Sequence, residues 1–276
     1  MTRRIKLLMF LVLAVGLLVP TLVQAGPVIT GAFNANTLPG NDDGSTGLEN
    51  IGFSANFFGT TYTQLYVNNN GNVTFNGPLG TYTPFGLTTD IGTPIIAAFF
   101  ADVDTRVGNV VTYGQGTVGT RSAFGVNYLE VGYFGQHTDK LNTFQLVLID
   151  RADVGVGDFD IMFNYDQIQW ETGDASNGSG GLGGYSARAG YSNGTGVAGS
   201  FYEMTGSGVN GAFLDGGVNA LISYKTANSD MLGRYIFEVR NGNIEPPVVV
   251  PIPPALVLMG SGLLGLAGLG YRRKRS

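Results

Sequence analysis

Between residues 26 and 245 no stretch keeps an apolar repeat of 3.6 residues; short runs rich in Val, Ile, Tyr and Phe recur instead between Gly, Asn, Pro and Thr. A surface helix needs one continuous apolar stripe, whereas a half-buried strand needs only about four to eight alternating residues, so the pattern restricts this body to β-structure. Strands are expected at residues 51–58, 64–67, 72–75, 95–100, 110–113, 123–133, 143–149, 158–165, 168–170, 186–191, 221–224 and 234–240. Many short strands of this kind suit two sheets packed face to face. The expected fold is an all-β antiparallel sandwich of jelly-roll type.

Asn68-Asn69-Asn70-Gly71-Asn72 separates two β-forming runs. Asn and Gly readily take the positive φ that a tight hairpin requires, so a turn is expected there. Residues 173–199 contain ten glycines and few large apolar residues, a composition that reads as a mobile loop or a weakly ordered excursion.

The two ends carry a different signal. Arg3, Arg4 and Lys6 precede an apolar block at residues 7–19, and Val23-Gln24-Ala25 offers small residues before Gly26. This is the layout of a secretory signal peptide cut between Ala25 and Gly26 by signal peptidase. At the other end Pro246, Pro247, Pro251, Pro253 and Pro254 lead into an uncharged apolar run at residues 255–270 that stops at Arg272, Arg273, Lys274 and Arg275. A span needs about 20 apolar residues, which residues 248–271 supply if the prolines sit at the interface. The basic cluster then belongs on the cytoplasmic side, leaving the body on the far side of the membrane. The domain plan expected is a signal peptide (1–25), one β-domain (26–245), a Pro-rich linker with a sorting motif (246–254) and a transmembrane helix with a basic tail (255–276).

The order of Val250-Pro251-Ile252-Pro253, apolar helix and terminal Arg/Lys cluster resembles the PEP-CTERM sorting signal of exported Gram-negative bacterial proteins. Ile252 stands where that family's namesake glutamate would be. The resemblance implies processing by a membrane-embedded exosortase-like enzyme; an anchor that is never cut is the other reading. Gly260-Ser261-Gly262-Leu263-Leu264-Gly265 has the spacing of a dinucleotide-binding loop, but no βαβ unit can follow it in the few residues left, and small residues on a membrane helix account for it.

Seven of the 15 Lys and Arg lie in the terminal segments, leaving the body eight against 20 Asp and Glu, a formal charge of −12. Such a surface repels nucleic acid and anionic lipid, and solubility is its default meaning. The chain has no cysteine, so although an exported compartment permits disulfides, packing and hydrogen bonds alone must hold the domain.

Four motifs in the body resemble the NIDO (nidogen-like) domain of extracellular proteins. Leu65-Tyr66-Val67-Asn68-Asn69-Asn70-Gly71-Asn72-Val73-Thr74-Phe75 looks like that family's opening hairpin. Pro94-Ile95-Ile96-Ala97-Ala98-Phe99-Phe100-Ala101-Asp102-Val103-Asp104-Thr105 looks like its signature strand and Asp-x-Asp turn. Residues 142–148 and 163–170 fit later strands in the same order. The resemblance implies an extracellular adhesion or matrix module without catalytic residues, set at the cell surface or in the extracellular matrix. Its expected partners are extracellular polysaccharide or surface proteins, with contact to the membrane only through the C-terminal helix.

Asp102 and Asp104 follow an apolar strand, and alternate strand residues share a face. Two carboxylates so placed suit a hard cation such as Ca²⁺; the rival reading is a strand end capped by side-chain to backbone bonds. No other cofactor is expected. The acidic stretch at residues 150–166 lacks EF-hand spacing. A polysaccharide hydrolase would need a carboxyl pair about 5–10 Å apart across a cleft. His137 is the one histidine, and neither a triad nor a metal site can be built on it without partners the sequence does not mark. Tyr62, Tyr66, Tyr82, Tyr113, Tyr133 and Trp170 read as core or sheet-face residues, with Trp170 the central anchor, rather than as a sugar-stacking platform.

Overall fold

A computed structural model describes residues 26–251. The expected signal segment through Ala25, the tail from Ile252 onward and therefore Pro253, Arg272, Arg273, Lys274 and Arg275 lie outside the described residues. Six strands form one sheet in the order β12 (Phe201–Glu203), β11 (Arg188–Ser192), β5 (Ile95–Phe100), β4 (Asn72–Thr74), β3 (Thr60–Asn68), β2 (Glu49–Phe57). The other sheet runs β1 (Asn36–Thr37), β7 (Thr112–Val118), β8 (Arg121–Tyr133), β9 (His137–Asp150), β10 (Phe159–Gln167), β14 (Arg234–Arg240), β15 (Asn243–Ile244), with β6 (Val103–Asp104) also on β8. β13 (Tyr224–Thr226) and β16 (Val249–Pro251) make a separate two-stranded ribbon, and every strand pair is antiparallel. The all-β expectation holds.

The sheets face one another across a shared core. Phe99 of β5 meets Phe144 of β9 at 5.3 Å between ring centroids, and Tyr191 of β11 meets Phe237 of β14 at 5.6 Å. Hydroxyls tie the layers as well: Tyr165 donates to the carbonyl of Ala98 (2.6 Å) and Tyr128 to that of Asn68 (2.7 Å). A buried phenol needs such a partner, since an unmade bond there costs about 1–3 kcal/mol. Trp170 is fully buried, edge-on to Phe99, with Nε1 donating to the Val131 carbonyl at 3.0 Å. It is the anchor the sequence led us to expect.

All six residues of β5 are buried because this strand is covered twice. Ile96, Ala98 and Phe99 face the sandwich core, while Ile95, Ala97 and Phe100 pack beneath Leu79, Phe85, Leu87 and Ile91. Simple alternation would send Phe99 outward. A bulge against β11 corrects it, Arg188 pairing with Phe100 and Gly190 with Ala97, so β5 carries one extra residue between those rungs.

The Asn-rich hairpin forms as expected. Asn68 pairs with Asn72, and Gly71 takes φ 77°. A Cβ at Gly71 would lie 1.8 Å from the carbonyl oxygen of Phe99, whose amide donates to the Gly71 carbonyl.

Four expectations are corrected. Residues 168–170 are not a strand, because Asn142 replaces a ladder partner: its Oδ1 accepts from Gln169 and Trp170 amides and its Nδ2 donates to the Trp170 carbonyl. Residues Leu221–Ser223 form a 3₁₀ turn, with β13 starting only at Tyr224. The Gly-rich segment 173–199 is neither loose nor structureless. It contains a 3₁₀ turn (Asp174–Ser176) and β11, and its backbone is bonded at Glu171 to Gly181, Tyr185 to Ser176 and Ala187 to Glu171. Its glycines allow close packing: a Cβ at Gly184 would stand 2.2 Å from the Ser176 oxygen. Val250 and Pro251, read as linker, lie in β16 opposite Lys225 and Tyr224.

Replacing Gly71 with Ala sets a side chain at positive φ against a fixed carbonyl. Strain of this kind destabilises by at least about 2 kcal/mol. Urea unfolding should show a markedly lower midpoint for G71A, and an unchanged midpoint would disprove the close approach.

Candidate functional site

The tip of the hairpin that β3 and β4 make is polar yet enclosed, Asn68, Asn69, Asn70 and Asn72 being at most 1 % exposed. Each amide is therefore obliged to find partners. Asn68 binds the Asn72 and Thr74 side chains. Asn69 Nδ2 donates to the carbonyls of Asp42 (2.6 Å) and Val103 (2.5 Å), and its Oδ1 accepts from Thr105. Asn70 Nδ2 donates to the Asp43 carboxylate (2.8 Å), while its Oδ1 accepts from the Val103 amide (2.9 Å). Two distant segments are thus drawn to one end of the sandwich: the loop 41–44 between β1 and β2, and residues 101–105, where the chain leaves β5 for β6 in the opposite sheet.

Three carboxylates converge there. Oxygen atoms of Asp42, Asp43 and Asp102 lie within 4.8 Å of one another. Asp102 is 1 % exposed, and among the described residues neither of its carboxylate oxygens has a hydrogen-bond partner; Asp42 Oδ1 is likewise unpartnered there. Gly173 closes the wall, since a Cβ on it would meet Asp102 Oδ2 at 2.4 Å. Burial first, then the charges of Asp42, Asp43 and Asp104, push the Asp102 carboxyl up to about 8. Burial and the Asp43 and Asp104 charges push Asp42 up to about 6.

Asp104 behaves differently, although it is buried too. Its Oδ1 accepts from the Arg106 amide and Nε, and its Oδ2 from Arg106 Nη2 (2.5 Å) and the Gln136 amide (2.9 Å). Burial opposes its ionisation, but these bonds outweigh it and hold the carboxyl below its usual range. The structure therefore keeps Asp102 in the cluster and gives Asp104 to an ion pair, with Asp42 and Asp43 completing the group. The sequence reading missed those two because nothing local relates them to Asp102. The one visible cue was an adjacent acidic pair followed by Gly44 in a stretch without strand pattern.

The other candidates are occupied structurally. Asp160 is held by Arg151 (2.7 Å) and Arg240 (2.6 Å), Asp153 by Arg121 (2.9 Å), and Asp158 accepts from the Asn241 amide (2.7 Å). His137 stacks on Tyr133 with Nε2 2.8 Å from Asp174, and among the described residues no serine shares its hydrogen bonds. Tyr113, Tyr133 and Trp170 are buried, Tyr62 and Tyr66 half-buried and Tyr82 exposed, so the six aromatics form no common platform. Among the described residues no helix is long and apolar enough to cross a membrane.

Fold and site together define a cysteine-free antiparallel β-domain whose unpaired buried acid gathers at one end. The model of the nidogen-like domain matches residues 63–241, and the chain belongs to that family. It is 31 % identical over 237 residues to alpha-tectorin of Homo sapiens and 32 % to that of Gallus gallus, with 77 % of this chain and 10 % of each relative covered. It is 30 % identical over 209 residues to nidogen of Drosophila melanogaster, covering 66 % of this chain and 14 % of the relative. The chain thus spans only a small part of the length of these relatives. No solved structure matches it. Asp102 falls within the matched region, and Asp42 and Asp43 precede it.

A raised carboxyl favours the folded state while protonated, so its contribution is present below the ordinary carboxylate range and is lost as pH rises through the folded value. Asp102 should lower stability between about pH 6 and 8, above the range where Asp42 titrates. In chelator, D102N should flatten that part of the stability-versus-pH curve relative to wild type; superimposable slopes would refute the assignment.

Proposed function

We propose that this chain is an exported, non-enzymatic surface or matrix module, sent out by its N-terminal signal, sorted by its C-terminal segment, and displaying a nidogen-like β-domain for adhesion or assembly of extracellular polymer. The observation that carries this reading is membership of the nidogen-like family over residues 63–241, with alpha-tectorin and nidogen among its relatives. The resemblance implies an extracellular adhesion or matrix module.

Three features support it. The acidic stretch that could have served a hydrolase is tied up in ion pairs and backbone caps. The residues that follow the expected cleavage site are tied to the sheet, Pro27 accepting from Arg234 Nη2 (2.6 Å) and Val28 donating to Asp166 (3.2 Å). The Val250-Pro251-Ile252-Pro253 motif, apolar run and basic cluster of Arg272, Arg273, Lys274 and Arg275 supply what an exosortase-like enzyme of a Gram-negative bacterium would act on. Surface proteins or polysaccharide are the partners such a module would hold, and its membrane contact would be the C-terminal helix, transient or lasting.

Fractionation and intact-mass measurement of the protein expressed in a Gram-negative host test the reading. A species starting at Gly26 and ending near Pro251-Ile252-Pro253, recovered from the extracellular polymer, is the expected result. Deleting residues 255–276 should release the domain to the medium. Membrane retention of the deleted form, or an untrimmed chain in the cytoplasm, would overturn the proposal.

A further inference from the structure

The cluster at the end of the sandwich asks for a ligand that its own surroundings do not provide. Asp102 sits in a fully enclosed position with both oxygens unpartnered. Burying a carboxylate without a compensating partner costs several kcal/mol, so such groups are paired, protonated or bound to a metal. Among the described residues Arg106 is the cation beside the cluster, but its guanidinium is engaged by Asp104 through two contacts and reaches Asp42 only at 3.5 Å. One shared guanidinium cannot balance Asp42, Asp43, Asp102 and Asp104 together. Asn70 does not serve Asp102: it spends its Nδ2 on Asp43 and the Thr81 carbonyl and its Oδ1 on the Val103 amide.

We propose that Asp42, Asp43 and Asp102 form a Ca²⁺ site that fastens the loop 41–44 to the crossover between the two sheets. The donor set is entirely oxygen, which selects a hard cation over a transition metal. Ca²⁺ holds its ligands at about 2.3–2.6 Å, so opposing oxygens around it stand about 4.6–5.2 Å apart. That span accommodates three carboxylate oxygens lying within 4.8 Å of one another. Mg²⁺ demands a tighter octahedron, about 4.0–4.2 Å across, and keeps most of its waters, which an enclosed ligand such as Asp102 does not favour. The site is prebuilt: Asn69 grips the Asp42 carbonyl and Asn70 orients the Asp43 carboxylate, so the hairpin fixes the ligand segments from behind. This assignment does not depend on how the chain is exported or on what it adheres to.

The test is thermal unfolding and calorimetric titration of the purified full-length chain in chelator, then with CaCl₂ or MgCl₂ up to about 10 mM, a range that covers extracellular sites of about 0.1–1 mM affinity. CaCl₂ should raise the unfolding midpoint by several degrees and give saturable heat near one ion per chain, with MgCl₂ at least tenfold weaker. D102N removes the buried charge without changing shape, so it should fold well in chelator and show no CaCl₂ shift. D43N should weaken binding at least tenfold. No shift and no heat with CaCl₂ would overturn the site, as would a CaCl₂ response that survives in both variants. Equal responses to MgCl₂ and CaCl₂ would overturn the choice of calcium.

Discussion

The fold hangs on the enclosure of four asparagines in one hairpin. Buried amides must be satisfied by the protein itself, and here they are satisfied by segments far apart in sequence: the Asp42 carbonyl, the Asp43 carboxylate, and both backbone polar groups of Val103. Gly71 makes this possible, because without a side chain the hairpin tip can lie directly against Phe99. Sheet crossover, N-terminal loop and β5 are therefore located by a single polar knot instead of by apolar contact alone. In a chain without cysteine, that knot occupies the structural place a disulfide would take.

A second polar device serves the opposite face. Asn127, Gln145, Asn164 and Arg234 form a side-chain ladder across β8, β9, β10 and β14. The N-terminal segment covers it, receiving bonds at Pro27, Ile29, Ala32 and Phe33. Both knots are built mainly of amides whose partial charges match, and each ends on one charged group, Asp43 in the first and Arg234 in the second. The carboxylates are sorted by the same logic: Asp160 and Asp104 lie beside guanidinium groups, whereas Asp102 does not, and that contrast singles it out.

Much of this was legible in the sequence because it was written locally. Residues 95–100 and 234–240 read as strands and are strands over those spans, since continuous or alternating apolar runs leave little choice. The Asn-Gly turn was equally plain. The short strands β1, β6, β12, β15 and β16 hold two or three residues each, too few to show a period. Asn142 substituting for a strand partner at Trp170 is a tertiary event, and so is the packing of the Gly-rich segment, where composition suggested looseness but the missing side chains permit close contact. One of the three carboxylates of the candidate site was visible: the Asp-x-Asp turn pointed to Asp102, but the bias of Asp104 toward Arg106, and the arrival of Asp42 and Asp43, depend on hairpin contacts that no linear pattern records.

The bulge in β5 has a consequence for how this domain finds its register. In a regular strand a slip of two residues keeps every side chain on its own face, so nearly degenerate pairings compete during folding. Here the extra residue breaks that equivalence: sliding β11 by two rungs would carry the offset away from the Phe99 and Phe100 pair, and one ring would face the wrong layer. The irregularity acts as a key cut for one lock position. A wholly buried six-residue strand is thereby keyed to the register it takes against β11.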